Sequence, residues 1–228
     1  MFYLTYRDYA TLIMDSGTLL IAFSIIYLIL HHRKKRSADE DIFLLLLILN
    51  IVMAAGDILG YLFENKAFPG SRELSLIGMT VFYIAFVLLF MTWLCYCRIR
   101  FRDGGVSKRQ RFAPEYLPGM VMLFLIVINI FTGWVFYYDE NWLYHRGVLF
   151  IPMYIIVAGY IMAGILCLSK DRDKSAGRAT VPAWVFVLPV VVGVVFTFLV
   201  PDSASFAPFS TAVSIVFTHM GTVNEFNG

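Results

Sequence analysis

Asn50, Asp57 and Glu64 follow one another at intervals of seven residues in an otherwise almost wholly apolar segment, with Ala54 and Tyr61 between them. Seven residues are nearly two helical turns, so on a helix these side chains form one stripe. A carboxyl group within an apolar span is expensive and faces a bundle interior, where it bonds another helix, contacts a ligand or ion, or relays a proton. Asp57 is flanked by Ala54, Ala55, Gly56 and Gly60, small residues that admit a close neighbouring helix or leave room for a pocket. Asp15 and Asn129 fall at similar depths in other apolar runs. Arg146, the one basic residue of the stretch Asp139–Gly147, is a candidate counter-ion beside His145, a residue type used in pH sensing. The ligand-binding candidates are therefore Asp57, Tyr61, Tyr144, Arg146, Asn50, Asn129 and Asp15.

Other chemistry is weakly represented. There is no HExxH pair and no GxSxG turn, and the run Phe206–Val223 lacks the lysine that a retinal Schiff base would need. Cys95, Cys97 and Cys167 lie at span ends on the expected reducing side, and Cys95 and Cys97 project in different directions from a helix. No catalytic residue, metal site or cofactor is expected, and the chain reads as no enzyme.

The elements that must position the candidates follow from composition. Of 228 residues, 60% are hydrophobic and 15% charged, and the mean hydropathy is +0.75. Soluble domains carry roughly a quarter charged residues, so lipid is the solvent for most of this chain. At about 20 residues per span, the apolar runs predict a seven-transmembrane-helix, all-α bundle in one domain. The spans are about Tyr9–Leu30, Ile42–Phe63, Leu76–Cys97, Leu117–Tyr138, Val148–Leu168, Pro182–Val200 and Phe206–Val223. The last is the weakest, because it contains Ser210, Thr211, Ser214, Thr218 and His219.

Lys and Arg mark cytoplasmic connections. They cluster after spans one (Arg33, Lys34, Lys35, Arg36), three (Arg98, Arg100, Arg102, Lys108, Arg109, Arg111) and five (Lys170, Arg172, Lys174, Arg178). The remaining basic residues are Arg7, Lys66, Arg72 and Arg146, interspersed with acidic residues. The expected topology has the N-terminus outside and the C-terminus cytoplasmic, with Asp57 about 9 Å below the outer end of span two by helical rise. Phe2, Tyr3, Tyr6, Tyr9, Tyr137, Tyr138, Trp142 and Tyr144 suit an outer aromatic belt, and Pro152, Pro189 and Pro208 mark candidate breaks. Because the basic clusters hug the membrane, nucleic acid is not an expected partner.

The acidic position in Ile51–Gly60 (IVMAAGDILG), the outer stretch Phe136–Gly147 (FYYDENWLYHRG) with its Tyr144-x-Arg146-Gly147 turn, and the proline in VFVLPVVVG resemble the seven-transmembrane input regions of bacterial membrane receptors. In that family the region precedes a diguanylate cyclase (GGDEF) or histidine kinase domain. The resemblance implies a sensor in a bacterial plasma membrane that detects a small extracellular ligand and transmits a helix rearrangement to a cytoplasmic output domain or partner protein. This sequence ends at Val223–Gly228 with no output domain, so the output is expected outside these residues. Membrane lipid is the remaining expected partner, with homodimer formation open.

A second reading is a small transporter, the seven spans being divided as three plus one plus three, as in transporters built from parallel repeats.

Overall fold

A computed structural model of the chain describes residues 6–32, 38–64, 69–100, 114–171, 183–199 and 206–224. The basic connections 33–36, 102–111 and 172–178 lie outside them, as do Lys66 and Asp202. The described residues form seven helices: α1 (Tyr6–His32), α2 (Ala38–Leu62), α3 (Ser71–Arg100), α4 (Leu117–Thr132), α5 (Phe150–Asp171), α6 (Ala183–Leu199) and α7 (Ala207–Asn224). Between α4 and α5 stands a hairpin of β1 (Phe136–Tyr138) and β2 (Tyr144–Arg146), paired antiparallel with Tyr137 opposite His145.

Five helical segments are long and apolar enough to cross a membrane, within α1, α2, α3 and α5 and in α4 together with the 3-10 turn Pro114–Tyr116 before it; α6 and α7 carry shorter apolar stretches, Val187–Thr197 and Ala207–Thr218. The chain is a multi-pass membrane protein. Its lipid-facing surface is apolar, as Ile13, Leu20, Phe124 and Phe131 illustrate, all strongly exposed. In lipid every backbone group needs an internal partner, which is why uniformly apolar, β-branched-rich runs become helices here.

The expected fourth span, Leu117–Tyr138, is corrected: α4 stops at Thr132. Gly133 takes a left-handed conformation (φ 63°) and donates its N–H to the Asn129 carbonyl, closing the helix. Six residues expected to be helical thus become the turn and first strand of the hairpin. Pro208 occupies the first turn of α7, where no helical N–H bond is lost, whereas Pro189 lies inside α6.

The packing is a ring. Neighbours in contact are α1 with α2, α2 with α3, α3 with α5, α5 with α6, α6 with α7, and α7 with α1 and α2. Helix α4 sits outside this ring, against α3 and α5. Helix α3 is the most deeply enclosed, with Phe82, Phe86, Phe90 and Trp93 buried along it. Its closest partner is α2: a Cβ added to Gly56 would lie 2.7 Å from the Phe82 nitrogen, and one on Gly78 would lie 2.5 Å from the Gly60 nitrogen. Glycines on both helices therefore set the α2–α3 separation.

Candidate functional site

The hairpin is fastened over one end of the bundle by side chains from α4, α3 and the end of α2, and by its own Arg146 reaching α6. From α4, the Asn129 side chain accepts from the Val135 N–H (2.7 Å) and donates to the Phe136 carbonyl (2.8 Å). Glu64, just past α2, accepts from the Tyr144 N–H (2.8 Å). In α3, Ser75 bonds the Tyr138 hydroxyl (2.7 Å) as well as the Gly60 carbonyl of α2, and Tyr83 bonds the Tyr144 hydroxyl. Reaching out from β2, Arg146 donates to the Thr197 carbonyl of α6 (2.8 Å) while its guanidinium lies over the Phe150 ring. Tyr138 stacks on Trp142, a loop residue with φ 61°, whose other neighbour is Arg72.

Beneath the hairpin is a cavity of about 20 Å³ lined by Asp57, Tyr61, Met79, Phe82, Tyr83, Tyr144, Arg146, Phe150, Tyr154 and Thr197. That volume accommodates one water molecule. A carboxyl, a guanidinium and four phenols converge on it, a set able to hold a small polar molecule through charge-assisted hydrogen bonds. Burial pushes the Tyr144 phenol well above its ordinary titration range, helped by the nearby Tyr61 hydroxyl, so it remains a neutral hydrogen-bonding group.

On the α1 side of Asp57 is Asp15. Both are fully buried, and their carboxyls are close enough to interact electrostatically. Helix α1 carries a buried polar stripe, Asp8, Thr11, Asp15 and Thr18, that faces inward as Asn50, Asp57 and Glu64 do on α2. Among the described residues no group of three His, Cys, Asp or Glu side chains is placed to hold a metal ion.

Of the seven candidates, Asp57, Tyr61, Tyr144 and Arg146 share the cavity, and Asp15 touches it through Asp57. The other two do not take part. Asn129 is engaged with the hairpin backbone, and Asn50 lies about 10 Å along α2 from Asp57 by helical rise, fully buried and away from the cavity. Tyr144 is not a belt residue, since its ring packs on Phe136 and its hydroxyl on Tyr83. Sequence reasoning missed Tyr83, Tyr154 and Thr197. Their signal was a hydroxyl within an apolar run, which is hard to separate from ordinary aromatic or β-branched packing.

Comparison of the sequence with models of known families and with curated proteins gives no match.

Proposed function

We propose that this chain is a sensory module of a cell membrane, with the hairpin end outside and the seven helices all crossing, which detects a small polar ligand in the cavity between α2, α5 and the hairpin. One observation carries the reading: Asp57, Tyr61, Tyr144 and Arg146, from two distant stretches of sequence, line a single cavity. A cavity of one water's volume admits a larger ligand only if the hairpin lifts. Hairpin bonds to α2, α3 and α6 would then pass the displacement into the bundle, and binding would favour the packing with the higher affinity. This reading agrees with the resemblance to bacterial receptor input regions and places the output in a cytoplasmic domain or partner protein.

The test is thermal stabilisation of the purified protein by a library of small polar molecules. A ligand of this site raises Tm of the wild type and fails to raise that of Asp57→Asn or Tyr61→Phe. Compounds that stabilise all three proteins equally would refute the assignment.

The transporter reading draws support from the position of α4 outside a ring of two three-helix groups, as a three-plus-one-plus-three division requires. Against it, the paired carboxyls lie in the first group alone. Flux of a bound compound into proteoliposomes would favour transport; saturable binding without flux favours sensing.

A further inference from the structure

Two carboxyls close enough to interact, both fully buried in a membrane-embedded bundle, cannot both stay ionised without a positive charge between them. We propose that Asp15 and Asp57 form a proton-binding site, in which one proton is held between the two carboxyls and exchanges with the medium at the hairpin end of the bundle.

The occupant follows from the proximity. Two buried carboxyls close enough to repel each other relieve that repulsion by sharing a proton, whereas a metal ion would gather further oxygens around it. With one proton the pair carries a single negative charge, and Arg146, which lines the cavity beside Asp57, supplies the balancing positive one. When the proton leaves, it goes to water as hydronium and the pair becomes doubly negative. The other titratable or charged groups around the pair are Asp8 on α1, Tyr61 and Glu64 on α2, Tyr83 on α3, Tyr144 on the hairpin and Tyr154 on α5. Among the described residues α6 and α7 add only uncharged groups, Thr197, Ser210, Thr211 and Ser214.

The direction of exchange follows from the register of α1 and α2. Their short connection makes them antiparallel, so the proximity of Asp15 to Asp57 brings Thr11 level with Tyr61 and Asp8 with Glu64. Toward the hairpin end the seam is thus polar. The Thr11 hydroxyl is buried with no hydrogen-bond partner among the described residues, and the cavity beside Asp57 has room for a water molecule. In the opposite direction Ala54, Ala22, Ile25, Leu46 and Leu47 are all buried, and the two polar side chains there on α1 and α2 form no continuous chain of hydrogen bonds: the Thr18 hydroxyl bonds the Met14 carbonyl of its own helix, and Asn50 has no partner among the described residues. Protons therefore enter and leave on one side, as suits a sensor of pH better than a conduit.

Infrared spectroscopy of the intact protein in nanodiscs tests this. The expected result is a protonated-carboxyl band at neutral pH that shifts on carboxyl-13C labelling of aspartate, disappears reversibly on alkalinisation, and persists in Asp8→Asn and Glu64→Gln. Asp15→Asn and Asp57→Asn should each shift or abolish it, and Thr11→Val should slow its shift in D2O several-fold. No such band in the labelled wild type overturns the site without recourse to any variant. A band that vanishes on adding sodium chloride at constant pH overturns it in favour of a sodium ion. An exchange rate unchanged in Thr11→Val overturns the route from the hairpin end.

Discussion

The Asn129 side chain holds Phe136, seven residues on, by its carbonyl, with an amide donor at 2.8 Å, while the Asn129 oxygen takes the N–H of Val135. One residue in the last turn of α4 thus closes the helix and starts the hairpin that roofs the cavity. Replacing it with Leu leaves the Val135 N–H and Phe136 carbonyl buried without partners. Asn129→Leu should lose about 2–6 kcal/mol, read as a lower Tm in detergent, at about 1–3 kcal/mol for each buried group left unsatisfied. A Tm within a degree or so of wild type would remove Asn129 from this role.

Tyr83 and Tyr144 join α3 to the hairpin through their hydroxyls. Each Tyr→Phe change alone should lower stability by about 1 kcal/mol, and the double variant by clearly less than the sum, since the second change removes a bond already broken. Additive losses in a double-mutant cycle would show that the hydroxyls act separately.

The Leu143 N–H bonds the Asp139 carboxylate at 2.8 Å and, with a further contribution from the His145 ring, holds it below the ordinary value of 3.8. A group whose folded value is depressed stabilises above its unfolded value and loses that contribution as pH falls through the folded one. The hairpin loop should therefore loosen only in strongly acid solution, below the ordinary Asp range. The Leu143 amide chemical shift should follow that titration in wild type and stay flat in Asp139→Asn; identical curves would disprove the link.

Gly78 lies where α2 and α3 come closest. Gly78→Val should cost about 1–3 kcal/mol or more by overpacking, with loss of a monodisperse peak in size-exclusion chromatography. Gly159→Ala, at a position where an added Cβ meets nothing within 4 Å, serves as the control and should be neutral or slightly stabilising. Equal behaviour of the two would contradict a glycine-set helix separation.

Much was legible in the chain itself. The helical, membrane-embedded class follows from apolar runs, because lipid allows little else for a segment without water to bond its backbone. Asp57 stood out for the same reason, as a carboxyl where carboxyls are costly, and the glycines beside it pointed to a close helix. The sequence did not determine the end of α4. Hydropathy alone carries Leu117–Tyr138 as one span, since no charged residue interrupts it, and Asn129 looks like any buried amide until its partners across the turn are seen.

The sequence by itself determined which residues are expensive to bury. Tertiary structure decided what each one meets: Asp15 for Asp57, the Tyr144 N–H for Glu64, the hairpin backbone for Asn129, and, among the described residues, no partner for Asn50. The reason is that cost and periodicity are local properties of a helix, whereas a partner depends on the register between helices. That register is set here by glycine contacts and a folded hairpin joining residues as much as 80 positions apart.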